Sequence, residues 1–218
     1  LAIGQRKSIS TDRKKNLIAH YSPESLVSNQ FRSIRTNINF LTTIQSMSTL
    51  LITSPNDGEG KSTTAANLAI SMSQQKTILL IDANLRKPTV HLSFKIPNTI
   101  GLTSVLANLE SLDNAIHKSE IPQLDLLPSG PVSPFPSELL ASKRLENLLE
   151  IISKSYDYVL IDSPSILGAV DTKVLANRCD GVILVANSGK TGLKQTLEAK
   201  KVLDFANSNI VGVILNER

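Results

Sequence analysis

Six short apolar runs constrain this chain more than any other feature. They are Thr49-Leu50-Leu51-Ile52-Thr53, Thr77-Ile78-Leu79-Leu80-Ile81, Leu124-Asp125-Leu126-Leu127, Tyr158-Val159-Leu160-Ile161, Gly181-Val182-Ile183-Leu184-Val185 and Val211-Gly212-Val213-Ile214-Leu215. Each is nearly continuous rather than alternating, so each strand has to be covered on both faces, as in a parallel sheet. Helical stretches are expected between them, near 61–75, 101–118, 137–154, 170–178 and 191–206. The alternation predicts an α/β fold, a doubly wound, mostly parallel sheet flanked by helices, with ligands bound at the carboxyl ends of the strands. A length of 218 residues suits one such domain. Residues 23–218 are read as that domain and 1–22 as a basic, flexible arm.

The net charge of +4 is concentrated at the start of the chain. Residues 1–35 hold Arg6, Lys7, Arg13, Lys14, Lys15, Arg32 and Arg35 against Asp12 and Glu24 alone, which leaves the remainder close to neutral. A basic tail on a near-neutral body suits an anionic membrane surface or an acidic partner, and nucleic acid is not expected as a ligand. The single cysteine, Cys179, excludes an intramolecular disulfide framework and fits a reducing compartment. No apolar run approaches the roughly 18 residues of a membrane-spanning helix, and no secretory signal is read. Over 23–46, Leu26, Phe31, Ile34, Ile38 and Leu41 recur at spacings of three to five, the pattern of an amphipathic helix.

Chemistry enters at Ser54-Pro55-Asn56-Asp57-Gly58-Glu59-Gly60-Lys61-Ser62-Thr63, which follows a strand and opens a helix. This is the context of a P-loop, whose backbone N–H groups and helix N-terminus receive phosphate oxygens. Asp57, Gly58, Glu59, Gly60, Lys61, Ser62 and Thr63 are therefore the candidate nucleotide-binding residues. Lys61 is expected at the β- and γ-phosphates of ATP and the Ser62 hydroxyl on Mg2+. Pro55 replaces the first glycine of the usual loop pattern and removes one N–H. Two further runs, Leu79-Leu80-Ile81-Asp82 and Val159-Leu160-Ile161-Asp162, deliver carboxylates to the same sheet edge, where magnesium needs oxygen ligands.

These residues, together with Leu80-Ile81-Asp82-Ala83-Asn84-Leu85-Arg86-Lys87-Pro88-Thr89, Ser129-Gly130-Pro131, Pro136-Ser137-Glu138-Leu139-Leu140, Ile161-Asp162-Ser163-Pro164 and Gly212-Val213-Ile214-Leu215-Asn216, resemble the CapB/CpsD-type bacterial tyrosine autokinases, relatives of the ParA/MinD ATPases. The resemblance runs from about Ser22 to Asn216. It implies transfer of the ATP γ-phosphoryl group to tyrosine in the control of capsular or extracellular polysaccharide export. It also implies catalytic roles for Lys61, Asp82 and Asp162, magnesium held by Ser62, Asp82, Asn84 and Asp162, and Asn216 near the adenine. Implied partners are a transmembrane activator with a cytoplasmic tail, tyrosine-bearing protein substrates and a ring-shaped homo-oligomer. The corresponding location is cytoplasmic, at the inner face of the membrane. Residues 23–46 would then be an oligomerisation helix presenting Asn29, Arg32 and Arg35 to a neighbour.

The sequence departs from that family's pattern in three places. Asn84 stands where a second carboxylate is usual, and a neutral amide offsets less metal charge. Asn29 stands where a glutamate is usual. Only Tyr21, Tyr156 and Tyr158 are present; the last two adjoin a buried strand, which leaves Tyr21 or another protein as the acceptor. A ParA/MinD-type switch ATPase is the competing reading, opposed by Asn56 in the position of that group's additional lysine. A nucleotide-binding scaffold with weak catalysis is a third.

Overall fold

The computed structural model describes residues 16–217. Among these, seven strands form one sheet in the order β3-β4-β2-β5-β1-β6-β7. They are β1 (Thr49–Thr53), β2 (Ile78–Asp82), β3 (His117–Lys118), β4 (Leu124–Leu127), β5 (Tyr158–Asp162), β6 (Gly181–Asn187) and β7 (Ile210–Asn216). All neighbours pair in parallel except β3 with β4.

Side chains of the central strands alternate between two cores, which explains why the runs are continuously apolar. Leu50, Ile52, Ile78, Leu80 and Leu160 enter one core; Leu51, Leu79, Ile81, Val159 and Ile161 enter the other. The first core is closed by α1 (Ile18–Tyr21), α2 (Leu26–Gln45), α3 (Lys61–Met72) and α4 (Val90–Phe94). The second is closed by α5 (Leu102–Leu106), α6 (Leu112–Ala115), α7 (Pro136–Ala141), α8 (Lys143–Ser155), α9 (Val170–Arg178) and α10 (Leu193–Phe205).

Three expectations are corrected. The flexible arm does not extend to residue 22: Leu17 and Ala19 are buried, and Asn67 of α3 clamps the segment by accepting from the Ala19 N–H at 2.9 Å and donating to the Asn16 carbonyl at 2.6 Å. The charged residues 6–15 of that arm lie outside the described residues. The helix expected over 101–118 is two short helices and a strand. A left-handed turn at Asn108 ends the first, and Ser111 caps the second by accepting the Asn114 N–H. On α2, Phe31 and Ile38 face the core as expected, but Leu26 and Leu41 are exposed. That helix starts where Ser25 accepts the Ser28 N–H at 3.2 Å.

Candidate active site

The β1–α3 loop turns twice through the left-handed region, at Gly58 (φ 79°) and Gly60 (φ 89°), which glycine adopts without steric cost. Gly60 has a second constraint. A Cβ there would lie 2.2 Å from the amide nitrogen of Asn216. The loop delivers Lys61, which is buried, as the first residue of α3, with Ser62 and Thr63 following in its first turn. That first turn contains no acidic residue, so the positive end of the helix stays available to phosphate.

Next to this loop, Asp82 and Asp162 are register partners at the ends of β2 and β5. Both are fully buried. Asp82 is heavily restrained: one oxygen accepts the Asn84 N–H at 3.1 Å and the other accepts the Thr89 and Val90 N–H groups, each at 2.9 Å. Asp162 is its opposite, because neither of its carboxylate oxygens has a partner of hydrogen-bond geometry, although the Ser62 hydroxyl lies close enough to favour its charged form. Burial lifts both above the ordinary carboxylate range. For Asp162, burial and the Asp82 charge push the value up to about 8, with Ser62 and Lys61 drawing it back only in part. For Asp82, burial raises it to about 6 against the opposing effect of its three N–H donors and Lys61. Two unpaired buried oxygens beside a phosphate loop form an acceptor set awaiting a cation, which fits magnesium. The described residues hold no group of three or more His, Cys, Asp or Glu side chains able to bind a metal.

The strand ends are fastened together. Asp162 accepts the Ala83 N–H through its carbonyl at 2.8 Å, Ser163 donates to the Ile52 carbonyl at 3.1 Å, and Ser54 accepts the Ile166 N–H at 2.8 Å. Asp57 accepts from the Ser165 hydroxyl at 2.8 Å and faces Lys87 at 3.9 Å. A cavity of about 390 Å3 at the other edge of the sheet, lined in part by Ser48, Glu146, Arg178 and Asp180, contains none of the motif residues. Unpaired chemistry, rather than concavity, locates the site.

Known proteins resemble this chain in sequence and fold. A family described as an AAA domain matches residues 47–210. The chain is 47% identical to Tyrosine-protein kinase YwqD of Bacillus subtilis, across 97% of this chain and 90% of that one. It is 40% identical to Tyrosine-protein kinase CpsD of Streptococcus agalactiae, across 86% of this chain and 81% of that one. The chain belongs to the CapB/CpsD-type tyrosine kinase family. The crystal structure of the chimerical protein CapA2B2 matches it with a TM-score of 0.89 at 36% identity, covering 94% of this chain and 90% of that one. Membership also makes it a P-loop nucleotide-binding protein.

The family strings have structural work to do. Arg86 pairs with buried Asp171 at 2.8 Å, and Asp171 also accepts from the Ser137 hydroxyl, so the strings at 80–89 and 136–140 meet on one carboxylate. Gly130, at φ 79°, and Ser129 are held by Asn98, whose side-chain oxygen accepts the Gly130 N–H at 2.9 Å. Asn84 is buried and its side-chain oxygen accepts the Lys87 N–H at 3.2 Å, so it shapes the turn after Asp82. Asn216 donates to the Glu59 carbonyl at 2.9 Å and so contacts the phosphate loop itself.

Arg35 is not a surface group. Its guanidinium is buried and donates to the Ser71 carbonyl at 2.5 Å and the Gln74 side chain at 2.8 Å, at the C-terminal end of α3. Burial, then Arg32, lowers its pKa from the ordinary value. Of the three residues expected to face a neighbour, only Asn29 and Arg32 remain outward, bonded to each other, with Arg32 also donating to the Pro23 carbonyl. Tyr158 is buried against the Thr42 hydroxyl at 2.6 Å, and Tyr156 donates to Asp125 at 2.7 Å, which assigns both to packing. Tyr21 is half-buried and donates to Glu120.

Proposed function

We propose that this chain transfers the γ-phosphoryl group of ATP to the hydroxyl of a protein tyrosine, using Lys61 and the Asp82–Asp162 pair, in the control of polysaccharide synthesis or export. The observation that carries this reading is Asp162: a fully buried carboxylate with no partner, in register with Asp82 and beside a Lys-bearing phosphate loop. Ser62 and Asp162 would hold magnesium, with Asp82 and Asn84 alongside, and the ion would supply charge neutralisation at the phosphates. Lys61 and the loop N–H groups offset the remaining charge in a site whose donors are already positioned. Asp82 receives the tyrosine proton as the new O–P bond forms and the β–γ bridge breaks, with ADP as the leaving group. A carboxylate raised to about 6 is a better acceptor for that proton than an ordinary one.

By family likeness, the domain works at the cytoplasmic face of a membrane beside an activator's tail. Among the described residues no helix is long and apolar enough to cross a membrane. Ring assembly through residues 23–46 would rest on Asn29, Arg32 and the exposed Phe40 and Ile44 rather than on Arg35.

Incubation with γ-labelled ATP, Mg2+ and a tyrosine-bearing tail in trans should label tyrosine, and Lys61→Met should reduce labelling about a thousandfold. Release of free phosphate without labelled protein would favour the switch ATPase. ATP binding with neither product would favour the weakly catalytic scaffold, a reading supported by Asn84 already serving the Lys87 turn.

A further inference from the structure

We propose that Glu59 is a positioning residue that holds the 187–192 loop against the phosphate loop, setting how tightly the nucleoside half of ATP is gripped; this rests on the nucleotide-binding reading above. Glu59 is 2% exposed. One of its carboxylate oxygens accepts from the Asn56 side-chain amide at 3.1 Å and from the Thr191 hydroxyl at 2.7 Å. The Thr191 hydroxyl itself accepts the Asn187 N–H at 2.8 Å, so its single proton is directed to Glu59. The Ser188 N–H donates to the Asn216 carbonyl at 3.0 Å, and the Asn216 amide returns to the Glu59 carbonyl at 2.9 Å. A closed circuit thus runs from the phosphate loop through β6 and β7 and back.

The second oxygen of Glu59 is buried with no partner, a cost that phosphate chelation does not require, since the loop's backbone N–H groups perform it. What the side chain supplies is therefore the grip on Thr191. Sheet order gives that grip a direction. The catalytic carboxylates end β2 and β5 on one side of β1, whereas the circuit ends β6 and β7 on the other. With the transferred phosphoryl group at the carboxylates, the nucleoside end of the ligand lies toward the circuit.

Binding of ATP and of inorganic tripolyphosphate to the wild type, Glu59→Ala, Thr191→Val and the double variant separates the possibilities, with thermal melts confirming folding. Each single variant should weaken ATP about tenfold while leaving tripolyphosphate unchanged, and the double variant should be no worse than either single. In the transfer assay Thr191→Val should raise the KM for ATP with kcat retained, and Thr191→Ser should restore the wild-type KM. Equal weakening of both ligands, unchanged ATP binding or additive losses would each overturn the proposal. A wild-type chain that binds no ATP would instead overturn the nucleotide reading on which it rests.

Discussion

The two ends of β5 carry the same side chain in opposite circumstances. Asp157, just before the strand, accepts the Thr77 N–H at 2.7 Å and the Thr77 hydroxyl at 2.9 Å, and the N–H donor chiefly holds its pKa below the ordinary carboxylate value. Asp162, at the other end, has no partner and is raised. The same contrast separates Asp180 from Asp162. Asp180 precedes β6 and accepts the N–H and hydroxyl groups of both Ser48 and Thr49, which outweigh the upward push of burial and leave its pKa lowered. Asp157 and Asp180, at the amino ends of strands, are therefore satisfied and serve the fold, while Asp162, at a carboxyl end, keeps capacity in reserve for a ligand.

The largest test of that division is Asp162→Asn. It should reduce tyrosine labelling by about a hundredfold yet raise the melting temperature of the ligand-free protein at neutral pH, because folding no longer forces a buried carboxylate to take up a proton. A fall in stability comparable to a core deletion would erase the contrast. Asp180→Ala should do the reverse, costing about 1–3 kcal/mol in denaturant unfolding with kcat retained, and loss of activity in a folded variant would break the comparison from the other side. The pH dependence of stability sharpens it further. Between the ordinary carboxylate value near pH 4 and the Asp162 value of about 8, the folded chain retains protons that the unfolded chain has released, so this pair makes stability fall as pH rises. Asp157 and Asp180 contribute stability above the ordinary value and lose it as pH falls below that value. Asp162→Asn should flatten the decline between pH 4 and 8, measured by melts across that window, and an unchanged slope would assign the decline to other groups. The smallest effect is expected from Asn84→Asp, which keeps the Lys87 turn but adds charge near Asp82. Labelling should increase about threefold at saturating Mg2+, and a flat response across a magnesium titration would argue against a metal-side role.

Much of this was legible along the chain. Buried parallel strands must be apolar on both faces, so β1, β2, β5 and β6 read directly as runs. The phosphate loop is likewise local, since strand, glycines, lysine and helix are contiguous. Even the meeting of Asp82 and Asp162 was foreseeable, because parallel strands place their carboxyl ends on one edge. Arg35 was not legible in this way. Its spacing from Arg32 puts both on one helix, but only the packing of α2 on α3 decides that Arg35 meets the Ser71 carbonyl. Leu17 and Ala19, in a segment read as an arm, are buried in the first core, and the segment is tied there by Asn67, some fifty positions away. Helix 101–118 failed for a different reason, since one left-handed residue ended it within an otherwise helical composition.

The sequence by itself determined the sheet, the phosphate loop and the family, because these depend on short-range periodicity and contiguous motifs. The tertiary structure alone decided which polar groups are satisfied. Glu59 finds Thr191 across 132 positions, and the Asp162 carboxylate finds no partner of hydrogen-bond geometry between β1 and β2, the two strands that flank it. Hydrogen-bond satisfaction is a property of surroundings assembled by long-range packing, and that property distinguishes Asp157 and Asp180, which serve the fold, from Asp162 of the candidate site.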